Sequence, residues 1–399
     1  MKILILTHSF FPEKNGISLV NDYMAKGLSR DNEVIVITEK KDSLTAEYNN
    51  KYDYDGICVY RIGIQQKGFK FYGEKARLRK YIEEFAPDVL ICVCVQTWTF
   101  DFLSPILDEI DCKKILYNHG SSAYFERYPL IDNLLHFRLN AFKYNYYWYR
   151  YYKQAYKYIK KFDKVIYLSE NNSAFEYAQK YGLSNGVIIE NAVEDDFFNY
   201  IRNNNICDKD SLNFIYVSNY DDNKNQKAVL NAFYHALEMF SGRNKNITLR
   251  MIGGQDEKYY NELCEINEYK KNELKKNKGH AFVDKINIEL FYGLDRLDMK
   301  HYMKEADIFL MGSRKEQYPI VLCEAAASGL MIISTNVGHA EKIPGCTVVN
   351  NYNEMAERIN EVLNDSSFVY EKGQESRAYA MKHYRIEEKV KELISVVKE

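Results

Sequence analysis

The sequence predicts an α/β protein made of two doubly wound, Rossmann-like units of parallel strands. Its 399 residues exceed what one hydrophobic core usually organises, short unbroken apolar runs alternate with longer amphipathic stretches, and the pattern restarts after a polar interruption midway. Strands covered by crossover helices on both faces read as continuous apolar runs rather than alternating ones.

In the first half such runs are Lys2–Thr7, Glu33–Thr38, Asp88–Val93, Lys114–Tyr117 and Lys164–Leu168. The polar stretch Ile201 to Ser211, with Asn203-Asn204-Asn205 and Asp208-Lys209-Asp210, reads as the linker, so the units are placed at 1–203 and 204–375. The second half runs Leu212–Val217, Thr248–Gly253, Ile286–Phe291, Asp307–Met311 and Met331–Thr335. A helical stretch, 376–399, ends the chain.

Composition excludes several classes. Hydrophobic residues at 46% and charged residues at 28% are a globular balance, and a net charge of -2 gives no global attraction to nucleic acid. The eight cysteines lack a paired C-x2-C spacing and read as reduced, buried thiols. No run approaches the roughly 18 apolar residues that span a bilayer, so a cytoplasmic protein is expected.

Ligands of doubly wound units collect at the carboxyl ends of the strands. The strongest signal there is Met311 to Gly329, which reads as a strand end, a loop and a helix start. Pro319 suits the first helical turn, leaving the amides of Ile320 and Val321 as an anion site fit for a diphosphate. Glu324, about one and a half turns further in, can accept both hydroxyls of a ribose. Glu316 stands at the loop mouth, facing a bound sugar. No acidic D-x-D ends a strand, since Asp221-Asp222 and Asp53-Tyr54-Asp55 lie in loop-like polar runs. Neither an essential metal nor another cofactor is expected.

Residues 141–161 place Phe142, Tyr144, Tyr146, Tyr147, Trp148, Tyr149, Tyr151, Tyr152, Tyr156 and Tyr158 among six basic and no acidic residues. Such a helix suits an anionic membrane interface, or packs its aromatic stripe on the sheet; one face can do each.

The two glutamates with seven residues between them resemble the E-x7-E signature of retaining glycosyltransferase family 4, whose GT-B fold sets two Rossmann-like domains about a central cleft. The resemblance covers nearly the whole chain. Phe11-Pro12-Glu13-Lys14-Asn15-Gly16 is similar to the family's glycine loop, Tyr117-Asn118-His119-Gly120 to its cleft histidine, and Asp163 to Ser169 to its strand ending in serine. Asn191-Ala192-Val193 is similar to its Asn-Gly-Val turn, Ser218-Asn219 through Lys224-Asn225 to its Gly-Arg…Lys-Gly phosphate site, and Asn336 to Glu341 to its second glycine loop. Three positions depart: Asn219 replaces the arginine, with Lys227 or Arg314 as possible substitutes, Gln317 replaces the glycine after the first glutamate, and Ala192 stands in the turn.

The resemblance implies a metal-independent hexosyltransferase that retains configuration, with catalytic Glu316 and His119. The implied donor site comprises Gly16, Asn219, Lys224, Ser313, Gln317, Tyr318, Ile320, Val321 and Glu324. Residues 1–203 would bind the acceptor, 204–375 a nucleotide-sugar, with UDP-hexose preferred to GDP-mannose, and 376–399 would cross back near Met381 to Tyr384. A bacterial surface polysaccharide or lipid-linked glycan is the expected acceptor, reached at the inner face of the membrane through 141–161. Alternatives sharing the donor pocket are an epimerase or hydrolase of nucleotide-sugars; a membrane-associated scaffold is the non-enzyme alternative. An NAD-dependent oxidoreductase would need G-x-G-x-x-G after the first strand, where His8-Ser9-Phe10-Phe11 stands.

Overall fold

The structure, a computed structural model, describes residues 1–13, 15–125, 139–200, 211–242 and 245–399. Of the expected linker 201–211, residues 201–210, with the 203/204 boundary and Cys207, lie outside the described residues, as does Lys14, and Ser211 opens a strand.

Two compact units emerge. The first takes Met1–Asn191 with Glu387–Glu399, and the second takes Ala192–Ile386. In the first, β1 (Lys2–Leu6), β2 (Glu33–Glu39), β3 (Lys51–Tyr54) and β4 (Ile57–Ile62) precede a two-stranded hairpin of β5 (Ile64–Lys67) and β6 (Lys70–Gly73). Then come β7 (Val89–Val93), β8 (Lys113–Asn118), β9 (Lys164–Tyr167) and β10 (Gly186–Ile188). The main sheet runs β10-β9-β8-β7-β1-β2-β4-β3 and is parallel except for the β3–β4 pair. Asp53 and Tyr54 therefore belong to an edge strand rather than a loop, and only Asp55 turns, at φ 53°. Ile3, Leu4, Ile5 and Leu6 are fully buried, as expected of a strand packed on both faces.

The second unit is a parallel sheet of six strands: β11 (Ser211–Val217), β12 (Asn246–Gly253), β13 (Ile286–Tyr292), β14 (Ile308–Met311), β15 (Met331–Thr335) and β16 (Cys346–Val349). Its order is β13-β12-β11-β14-β15-β16, and helices fill the intervals. The division falls at Asn191/Ala192 because the next residues pack into the second unit. Phe197 and Phe198 are buried there, and the Arg377 guanidinium donates to the carbonyls of Phe198, Tyr200 and Ala327.

The chain end is two helices, Val369–His383 and Ile386–Lys398, broken at Tyr384-Arg385. In the first unit, Val390 of the last helix packs on Gly27, where a Cβ would come within 2.5 Å of the valine methyls. The helix Leu139–Ile159 is two-faced: Tyr152, Ala155 and Ile159 are buried, whereas Lys143, Tyr146, Tyr149, Arg150, Lys153 and Lys157 are exposed. Among the described residues no helix is long and apolar enough to cross a membrane, and seven cysteines are unpaired thiols.

Gly373 brings the helix Val369–His383 onto Gly329, the residue that ends the helical segment after β14; a methyl at 373 would stand on the Gly329 carbonyl oxygen. Helix propensity favours alanine over glycine by about 1 kcal/mol, but overpacking costs about 1–3 kcal/mol. Gly373→Ala is therefore expected to lower the melting temperature, measured by calorimetry.

Candidate active site

In the second unit the chain leaves β14, passes Gly312 to Tyr318 and enters the helix Ile320–Ala327. Pro319 is the N-cap rather than the first helical residue, with φ -68° and ψ 117° and no side-chain cap. First-turn amides have no partner within their own helix, so those of Ile320 and Val321 offer donors to an anion.

The loop is held from below. Ser313 is fully buried, its carbonyl accepting from Thr335 Oγ1 at 2.6 Å, and the Tyr352 hydroxyl donates to the Gly312 carbonyl at 2.9 Å. Tyr216 donates to the Lys224 carbonyl and lies 3.5 Å from Ser313 Oγ, tying the loop after β11 to the loop after β14. Lys224 Nζ then meets Glu316 Oε1 at 2.5 Å. Both partners are shielded, with side-chain exposures of 23% and 11%, which makes the pair stronger than a surface one. The residues expected at the diphosphate and at the sugar thus neutralise each other.

Tyr318 stacks on His339, centroids 3.7 Å apart and planes 8° apart. Gly338, at φ +59°, turns the loop so closely that a Cβ there would lie 2.6 Å from Pro319 Cδ. Burial first, then Lys342, pushes the His339 imidazole down to about 3, so it is neutral at pH 7.

Glu324 is buried, and its carboxylate is not empty. Arg296 Nη2 lies 2.5 Å from Glu324 Oε1 and 2.5 Å from Glu194 Oε2, and Lys300 binds Glu194 and Asp196 at 3.1 and 2.8 Å. Arg296 and Glu194 were missed from sequence. The rule of strand carboxyl ends could have found Arg296, which follows β13 by a short turn; nothing local marks Glu194.

Of the expected substitutes for the missing arginine, Lys227 is bound to Glu262 at 2.5 Å and lies over the Tyr259 ring, and Arg314 is exposed. Asn219 is exposed, and its carbonyl accepts from Gln226 Nε2 at 2.7 Å. Gln317 and Val321 are half-buried beside Glu316 and Ile320.

Gly16 and His119 lie in the other unit. Gly16 opens the helix Gly16–Ser29 behind an Asn15–Ser18 capping box, and the loop before it rests on buried Arg61, whose Nη2 donates to the Phe11 carbonyl at 2.8 Å. His8 and His119 follow β1 and β8, the strands flanking β7. His8 Nδ1 and His119 Nε2 are buried without a hydrogen-bond partner. Burial first, then Lys41, pushes His8 down to about 4; burial first, then His8, pushes His119 down to about 3. Two neutral imidazoles can accept from or donate to a hydroxyl at pH 7.

Both folded values lie below the ordinary histidine value of 6.5, so below that pH the unfolded chain binds more protons and stability falls as pH falls. His119→Gln should therefore lose about 1–2 kcal/mol less stability than the wild type between pH 7 and pH 4.5, measured by urea unfolding at both values.

Residues 197–383 match the family described as Glycosyl transferases group 1, and residues 14–197 match Glycosyltransferase Family 4. No curated protein sequence matches the chain. Among solved structures, sucrose-phosphate synthase from Thermosynechococcus elongatus is similar at TM-score 0.71 and 13% identity, covering 100% of this chain and 98% of its own. HepE from Anabaena, in complex with UDP and glucose, gives 0.67 and 15%, covering 100% and 99%. WaaG, a glycosyltransferase of lipopolysaccharide biosynthesis, gives 0.66 and 14%, covering 99% of each chain. With both units matched and the fold shared along its length, the chain belongs to glycosyltransferase family 4 and is a GT-B glycosyltransferase.

Proposed function

We propose that the protein transfers a hexose from a UDP-sugar to a saccharide or lipid-linked acceptor, with retention of configuration and without a metal ion, in the synthesis of a bacterial surface glycan. The observation that carries this reading is the Lys224–Glu316 pair at the mouth of the helix Ile320–Ala327, with Glu324 buried deeper along the same helix. An incoming diphosphate takes Lys224 from Glu316 and gains the amides of Ile320 and Val321. These are fixed donors where negative charge grows as the sugar–phosphate bond breaks. Glu316, released, faces the sugar, and Glu324 accepts the ribose hydroxyls. With a lysine and helix amides to stabilise the leaving group, no divalent ion is required.

His119 and His8 would take the acceptor in the first unit, where neutral imidazoles bind hydroxyls. HepE with UDP and glucose, and a trehalose-6-phosphate enzyme of E. coli bound with UDP-2-fluoro glucose, favour a UDP-hexose, and WaaG favours a surface glycan. The exposed face of the helix Leu139–Ile159, with Tyr146 and Tyr149 among its lysines, would hold the enzyme at the inner face of an anionic membrane.

A panel of nucleotide-sugars, read by thermal stabilisation and by release of nucleoside diphosphate, tests the donor. UDP-hexoses are expected to stabilise the wild type, Glu324→Ala to weaken nucleotide binding by about 2 kcal/mol, and Glu316→Ala to suppress transfer while the nucleotide still binds. Full transfer by Glu316→Ala would refute the site. Turnover should persist in EDTA; loss restored by magnesium or manganese would refute the metal-free mechanism. Sedimentation with phosphatidylglycerol vesicles should fall on Lys143→Glu/Arg150→Glu/Lys153→Glu and with added salt.

A further inference from the structure

The geometry points to Arg296 as a positioning residue of the donor site: we propose that it pairs with Glu324 and orients its carboxylate for the ribose hydroxyls, using Glu194 as its anchor. This rests on the donor reading above.

Glu324 has 4% of its side chain exposed, so its carboxylate has lost nearly all its water. A carboxylate so shielded needs a partner, a cation or hydrogen-bond donors, to replace the lost water. Arg296 supplies it through Nη2 at 2.5 Å from Oε1, and the contact leaves Oε2 to accept a ligand hydroxyl. The guanidinium is itself fixed: Nε donates to Glu194 Oε2 at 2.7 Å, and the plane lies 5.5 Å from the Phe197 ring. A planar fork holds two carboxylates in a fixed relative geometry, which the point charge of a lysine does not impose. The remaining charged or titratable neighbours form one connected set: Lys300 on Glu194 and Asp196, the Tyr200 hydroxyl donating to the Lys300 carbonyl, and Arg377 on the Tyr200 and Ala327 carbonyls. Of these, only Arg296 is bonded to the Glu324 carboxylate in the described structure.

The test is titration calorimetry with UDP and with GDP, which share the ribose, from pH 5.5 to 8.5 on the wild type, Arg296→Met, Arg296→Lys, Glu324→Gln and the Arg296→Met/Glu324→Gln double variant. Arg296→Met should bind about tenfold more weakly at pH 7 and weaker still at pH 6, because an unpaired buried carboxylate takes up a proton as pH falls. Arg296→Lys should recover part of the affinity and most of the flat profile, and it serves as the charge-keeping variant should the methionine form melt early. Glu324→Gln should bind weakly without added pH dependence, and the double variant should match it, since Arg296 acts through Glu324. Wild-type affinity and a flat profile in Arg296→Met would overturn the inference, as would losses that multiply in the double variant. If Glu324→Gln bound both nucleotides as tightly as the wild type, the donor reading would fall, and the inference with it.

Discussion

A parallel strand covered on both faces favours apolar side chains along its length, and this constraint organises the protein. Ile3 to Leu6 and Val89 to Val93 are apolar and buried, so polar function is displaced to the first residues after each strand. Thr7 and His8 follow β1, His119 follows β8, Ser218 and Asn219 follow β11, and Gly312 and Ser313 follow β14. Because parallel strands share one direction, these ends gather along one edge of each sheet. The strand order then decides which meet: β8 and β1 both border β7, which puts His119 and His8 within electrostatic reach.

Gathering charged groups at a partly dry edge creates a second requirement, that each be paired. Breaking a buried pair by removing one partner costs about 3–5 kcal/mol, far more than an exposed pair is worth. The protein meets the requirement internally: Lys224 with Glu316, Arg296 with Glu324 and Glu194, and, in the other unit, Arg61 with Glu13 at 3.6 Å. A nucleotide-sugar that exchanges into such pairs replaces existing partners rather than filling bare charges. In the proposed donor reading, part of its binding energy would go to separating Lys224 from Glu316, which would free Glu316 for the sugar.

The helix Leu139–Ile159 shows how one run of residues serves two solvents. Tyrosine has an apolar ring and a polar tip, so Tyr152 fits the core with its ring while Tyr151 reaches the Gln96 amide and Asp101 with its hydroxyl. Burial first raises the Asp101 carboxyl to about 6. On the opposite face, Arg150 lies over Tyr146 and Lys153 over Tyr149, so cations and rings are paired before any partner arrives.

Much of this was legible in the residues alone. Strand positions, two Rossmann-like units and the family signature follow from apolar runs and from Glu316, Pro319 and Glu324, because burial on both faces and helix-start chemistry are local properties that a linear sequence records. The short edge strand through Asp53 and Tyr54 escaped, since its exposed face is as polar as a loop. The helix break at Tyr384-Arg385 escaped as well, since helical propensity runs on through it, although the resemblance implies a crossing near Met381 to Tyr384. The partners of the site residues were beyond reach: Lys224 and Glu316 are 92 positions apart, Arg296 and Glu324 28, and Arg296 and Glu194 102. The sequence by itself determined which groups stand at strand ends. Only the tertiary structure decided which of them neutralise each other, because pairing depends on strand order and on exclusion of water, and neither is written in any one segment.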